Sequence, residues 1–246
     1  MDEKVTSYRV DPLIVTKPLT AKVLNNFKSL RLEALRTSPQ SSLSTLEAEE
    51  GLSDSQWEAT ILDPAHQYLI CHTQLHSAGS TISSSECAAD EWAEDDAWVG
   101  MLCLSGPYRK DEYAGTSLLG STAMVFDEHE SGWYINALFM QPDSRCKESA
   151  TAIHEAVLDY LRFQTDQYLA TTFDDATGLE KPKKARLAGI LRTDNDPCRE
   201  LFESLAGRKI GWANEPLRRK IAGLDVMPDA GSMKELMQVT ESVIEC

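Results

Sequence analysis

Arg145-Cys146-Lys147-Glu148-Ser149-Ala150 is the part of this sequence best suited to chemistry. It follows an apolar run that Pro142 ends, and it leads into a segment with helical spacing. The first N–H groups of a helix have no partner within the helix and can hold an anion. With Arg145 and Lys147 beside them, the anion they suit is a phosphorylated cofactor. Cys146, between these two cations and near a helix start, is a candidate nucleophile. Glu33, Asn136 and His154 are acid/base candidates by position alone, and His154 reads first as a packed helix residue. Lys181, Lys183, Lys184 and Arg186 are either a solvated cluster or a second grip on phosphate. The sequence has no Ser/His/Asp motif, no Walker sequence and no dinucleotide glycine pattern.

Two elements must position that loop. Residues 133–140 form a short, nearly continuous apolar run, the pattern of a strand buried on both faces. After the turn, Ala150, Ile153, Val157 and Leu161 fall on one helical face. Before them, residues 8–15 read as a first strand. A helix starts at Thr20, carries Val23, Leu24, Phe27, Leu30 and Leu35 inward, and stops at Pro39. Ser53 caps a second helix through Trp57 and Ile61, and Trp57 reads first as core. Strands are expected over 66–73, 97–104 and 187–191, with a further one over 117–126. Asp194-Asn195-Asp196-Pro197 signals another helix start. Residues 208–226 suit two late strands. Met233, Leu236, Met237, Val243 and Ile244 predict a C-terminal amphipathic helix at about 232–244 that covers its own domain. The Ser- and acid-rich segment 77–96 and the polar segment 171–184 are expected as flexible insertions in a single domain over 1–246.

The formal net charge is −15, which disfavours a nucleic-acid or anionic-membrane partner, since both need a basic surface. Six cysteines occur without a C-x-x-C pair, so neither a structural zinc nor a thioredoxin-like site is expected, and no metal. The sequence shows no secretory h-region and no apolar run of about 20 residues. A cytoplasmic, reducing location is the expectation from these features.

Residues 145–150 resemble the pyrophosphate loop of the Gcn5-related N-acetyltransferase (GNAT) superfamily, Gln/Arg-x-x-Gly-x-Gly/Ala. Arg145 and Ala150 fit the pattern, and Glu148 stands at its middle glycine. Residues 31–39 are similar to the end of the family's first helix, Arg-x-x-Ala-Leu-x-x-x-Pro, and are followed by acidic Glu47, Glu49 and Glu50 and then Trp57. Asn195, Leu201 and Phe202 fall on the family's later Asn-x-x-Ala-x-x-Leu-Tyr pattern, with Phe202 in the place of the tyrosine that often protonates the leaving thiolate. A phenyl ring cannot donate that proton.

The resemblance implies an α/β fold with a mixed, mainly antiparallel central sheet flanked by helices. It implies acetyl-CoA as co-substrate and acetyl transfer to an amine, small-molecule or peptide, by direct attack. Backbone contacts to the cofactor are implied at Leu138, Phe139 and Met140, and pyrophosphate contacts at Arg145, Cys146, Lys147, Glu148, Ser149 and Ala150, with Asn195 and Phe202 nearby. The expected state is a monomer or homodimer. The alternative is a catalytically degenerate member that binds a ligand or partner, which Glu148 and Phe202 favour.

Overall fold

The computed structural model describes residues 4–15, 17–39, 44–77, 97–108, 130–172, 184–192, 208–213 and 237–245. The expected strand at 117–126, Asn195, Leu201, Phe202, Lys181, Lys183 and nearly all of both expected insertions lie outside them.

The strands are β1 (Lys4–Pro12), β2 (His66–Ser77), β3 (Ala97–Tyr108), β4 (Glu130–Met140), β5 (Lys184–Arg192), β6 (Arg208–Ala213) and β7 (Met237–Glu245). The helices are α1 (Ala21–Thr37), α2 (Leu46–Glu50), α3 (Asp54–Ile61) and α4 (Lys147–Thr172), and a single 3-10 turn, Pro142–Ser144, joins β4 to α4. The hydrogen-bonded strand order is β1-β2-β3-β4-β5-β7-β6. β1 pairs antiparallel with β2, β5 with β7 and β6 with β7, while β4 and β5 run parallel. The sheet is therefore mixed and mainly antiparallel, as expected.

By their contacts the residues divide into two compact units, Met1–Cys103 with Ala137–Ala156, and Leu104–Asn136 with Val157–Cys246. In the first, α1 and α3 begin where the sequence signals them. Thr20 accepts from the Val23 N–H, and Ser53 forms a full capping box with Gln56. Every third or fourth residue of α1, from Val23 through Phe27 and Leu30 to Ala34, enters a core shared with Trp57, Tyr68, Ile70, Met101 and Phe139. Trp57 is 1% exposed and meets Phe27 edge-on, so it is a core residue. Helix α2 was not expected, since the acids of that segment offer no apolar face. It buries no residue and is fastened instead by Glu49 to Arg31 of α1, at 2.6 and 2.8 Å.

In the second unit, Trp133 packs edge-on against Tyr160 and donates to Ser131 Oγ, which in turn meets Thr165 Oγ1. Arg186 and Glu130 form a buried ion pair at 2.6–2.7 Å. The expected C-terminal helix is a strand over its described part. Residues 237–245 make up β7, which pairs with β5 along its whole length and with β6 on its other side. Val239, Thr240, Val243 and Ile244 are β-branched and suit a strand between two neighbours better than a surface helix.

Candidate functional site

Pairing between β4 and β5 ends at Ile135↔Gly189, yet β4 runs on to Met140. Residues 136–140 therefore extend beyond the register of their parallel neighbour. On the other side of β4, the Gln141 N–H donates to the Val99 carbonyl of β3 at 2.8 Å. Backbone groups alternate along a strand. Phe139 therefore addresses β3, and the N–H and C=O of Leu138 and Met140 point away from it. The Met140 carbonyl accepts from Arg145 Nε at 3.0 Å, as that alternation requires. Close packing of β3 on this end of β4 depends on Gly100, because a Cβ there would overlap Met140 Sδ and lie 3.0 Å from the Phe139 carbonyl oxygen.

Helix α4 opens directly after this edge. The Cys146 N–H donates to Ser149 Oγ at 3.2 Å. Ser149 is buried, and its hydroxyl lies 2.7 Å from the Ser144 carbonyl and 2.9 Å from that of Cys146. This braces the turn from inside. Lys147, Glu148 and Ala150 are exposed, Arg145 is exposed, and Cys146 is half-buried. Ala150 was expected on the buried face with Ile153, Val157 and Leu161. Ser149 takes that place instead, four residues before Ile153, because its hydroxyl finds partners that let it be buried. The backbone N–H of Glu148 itself, at the start of α4, holds its carboxyl below the ordinary range, so a charged carboxylate sits at the helix N-terminus.

The remaining candidates are spread out. Glu33 lies on the outer part of α1 and pairs with Arg36 at 3.0 Å. His154 is half-buried on α4. Asn136 donates to the buried Ser105 Oγ at 2.9 Å. Tyr8 was not foreseen, and its hydroxyl contacts Cys146 and Ser144. The bond to Cys146 chiefly holds the phenol above its ordinary value. No sequence signal marks this cross-strand neighbour, because it comes from the first strand.

A shallow, solvent-open cleft lies between α1 and this end of β4. Helix α1 contributes Arg31, Ala34 and Ser38 to its wall. Met101 of β3 and residues 137–139 of β4 supply the rest. Ser38 also accepts from Arg145 Nη2 at 3.4 Å. Ser38 was overlooked in the sequence because it reads there only as part of the helix stop before Pro39.

Burial pushes the thiols of Cys71 and Cys103 up to about 12, so both stay protonated near neutrality. Cys146 has more access. Alkylation by iodoacetamide at about pH 8 should label Cys146 well before Cys71 or Cys103, as read by peptide mass mapping.

Among the described residues no three His, Cys, Asp or Glu side chains come together as metal ligands, and no helix is long and apolar enough to cross a membrane. No family model and no curated protein matches the sequence. Solved structures do match. NAA60 of Arabidopsis thaliana in complex with acetyl-CoA is similar over 97% of this chain and 99% of its own, at 10% identity and a TM-score of 0.50. The same protein with a bisubstrate analogue matches over 98% and 99%, at 11% identity and a TM-score of 0.49. An acetyltransferase of the GNAT family from Streptococcus pneumoniae matches over 98% and 99%, at 10% identity and a TM-score of 0.44. At such identity the likeness is one of architecture, and it agrees with the strand order, the parallel β4–β5 pair and the strand-turn-helix described above: the chain has the fold of the Gcn5-related N-acetyltransferases.

Proposed function

We propose that this chain is an acyl-CoA-dependent N-acyltransferase, with acetyl-CoA as donor and an amine as acceptor. The observation that carries the reading is the edge of β4 from Asn136 to Met140, which continues past its pairing with β5 and runs straight into a helix N-terminus. An extended amide-bearing arm can add to such an edge as a strand would. On this reading Leu138 and Met140 offer outward backbone groups to the pantetheine arm, and Phe139 holds the strand in place from the core. Of residues 145–150, Lys147, Glu148 and Ser149 supply the N–H groups that meet the pyrophosphate on this reading, aided by the Arg145 and Lys147 charges, since the N–H groups of Arg145, Cys146 and Ala150 donate to Pro142, to Ser144 and Ser149, and to Cys146. The Arg145 guanidinium leaves the Met140 carbonyl as the arm arrives. The Leu138 N–H is the donor closest in kind to what a thioester oxygen needs as the amine attacks. The amine nitrogen forms the new amide bond to the acyl carbon, the C–S bond breaks, and the thiolate takes up the proton that the amine loses. Asn195 and Phe202 belong to this proposal by sequence resemblance alone.

One observation favours a second reading, a binding protein without turnover. Glu148 keeps a carboxylate at the helix start, where it competes with phosphate for the same N–H groups. Calorimetric titration with acetyl-CoA, followed by an assay for thiol release with amines, separates the two. Binding at about micromolar concentration with thiol release supports the transferase, and no binding up to about millimolar moves the conclusion to the second reading. Glu148→Gln should tighten acetyl-CoA only a few-fold, because solvent screens the charge of an exposed carboxylate. An unchanged Kd would mean that the carboxylate points away from the phosphates.

A further inference from the structure

Tyr8 stands on β1, at the end of the strand order, yet its hydroxyl reaches the turn before α4. The strand register explains how. On β2, Tyr68 and Ile70 enter the core beneath α1, so Cys71 faces the other side of the sheet. Cys71 pairs with Val10, and Tyr8, two residues from Val10, shares that side. Tyr8 and Cys71 are thus diagonal neighbours, a spacing that an aromatic side chain spans. Cys146 lies over the same patch, since burial first and then the nearness of Cys146 raise the Cys71 thiol. Cys71 and Ser144 are buried there, and Tyr8 and Cys146 are half-buried. The contact with Cys146 is the chief cause that holds the Tyr8 phenol above its ordinary value, as it does for a phenol that donates to sulfur. The turn's own bonds are local. The Arg145 N–H donates to the Pro142 carbonyl at 3.2 Å, and the Ser144 carbonyl takes the Cys146 N–H at 3.1 Å and the Ser149 hydroxyl at 2.7 Å. These bonds set the shape of residues 142–149, and Tyr8 ties that shape to the sheet.

We infer that Tyr8 is a positioning residue for the cofactor turn: its hydroxyl, set between Cys146 and Ser144, fixes the turn against β1 so that the N–H groups of Lys147, Glu148 and Ser149 keep one direction toward the pyrophosphate. This rests on the acyltransferase reading and adds a residue to that site. Hydrogen bonds to phosphate are directional, so a turn free to rock would have to be ordered when the cofactor arrives, at a cost in affinity. Tyr8 acts through Cys146 and Ser144 and not on the reacting atoms.

The test compares the full chain with its Tyr8→Phe variant, which keeps the ring and loses only the hydroxyl. Amide hydrogen exchange, read by peptide mass mapping without any ligand, comes first. Exchange over residues 142–150 should quicken several-fold while that of β1 and β2 stays as it was. An unchanged turn overturns the inference. So does a rise in β1 and β2 alongside the turn, which would mean that the variant loosens the strands and not the turn. Calorimetric titration with acetyl-CoA follows. Tyr8→Phe should weaken binding about fivefold, the worth of one hydrogen bond, and an equal Kd overturns the inference. Cys146→Ala supplies the readout that a merely structural tyrosine would not move. In that background Tyr8→Phe should cost less than it does alone, because part of its anchor is already gone. The full loss in both backgrounds would show that Tyr8 does not act through Cys146, and would overturn the inference. If neither protein binds acetyl-CoA, the transferase reading falls, and the exchange arm still decides whether Tyr8 holds the turn.

Discussion

Glu130→Ala should remove about 3–5 kcal/mol of folding stability, as expected when one partner of a buried ion pair is lost. Arg186 is 2% exposed and Glu130 9%, and the guanidinium meets one carboxylate oxygen through Nε at 2.7 Å and Nη2 at 2.6 Å. The parallel register sets this geometry by pairing Glu130 with Lys184 and Gly132 with Arg186. Removing the acid leaves a guanidinium in the interior, where it retains its charge at any accessible pH. Urea unfolding followed by tryptophan fluorescence measures the loss. The informative control removes both charges, with Glu130→Leu and Arg186→Met together. That double variant should recover most of the loss, since apolar replacement of a whole buried pair is often neutral or better. A single-variant loss below about 1 kcal/mol would show that water reaches the pair and solvates Arg186 in its place.

Gly106→Ala should cost a similar amount, about 3–5 kcal/mol, from two sources that act together. The glycine has φ +139°, a conformation that L side chains rarely adopt. A Cβ there would lie 2.7 Å from the Gly132 carbonyl oxygen and 2.8–2.9 Å from two Trp133 ring carbons. Trp133 is 1% exposed and held by Tyr160 and Ser131, so it has nowhere to move. Near-ultraviolet circular dichroism should report the displaced indole alongside a lower Tm. Gly100→Ala is the comparison. Its worst overlap is with the flexible end of Met140, so the loss should be smaller and should appear first in acetyl-CoA binding. If both variants unfold alike, backbone strain at Gly106 is not the larger source.

Local signals carried the first half of the fold. Thr20 and Ser53 fix helix starts through their own hydroxyls, and Ser38-Pro39 closes α1, so three bonds or rings decide what the sequence spells out. The apolar run before Pro142 is β4, and the turn that follows does open a helix at Lys147. Features set by distant partners were harder to read. Helix α2 rests on one ion pair to Arg31 and has no periodicity to notice. Strand β7 has apolar residues at spacings that suit a helix, and only its two strand neighbours reveal the other period. In the site, the loop 145–150 was legible because its residues are contiguous. The Ser38–Arg145 bond joins residues 107 positions apart, and the Tyr8 contact with Cys146 is longer still, so neither leaves a trace in local spacing.

The place of β7 in the sheet has a consequence for biosynthesis. β6 is made first, yet its hydrogen-bonding neighbour is β7, and β7 alone joins it to β5. A nascent chain that has emerged only as far as Ala213 holds β5 with one side vacant and β6 with nothing to dock on. Both strands wait for residues 237–245, whereas the antiparallel β1–β2 pairing and the packing of α1 on α3 involve residues made much earlier. The last of the described strands to be translated is thus an interior one, and a chain stopped before it would leave β5 and β6 open to pairing with another chain.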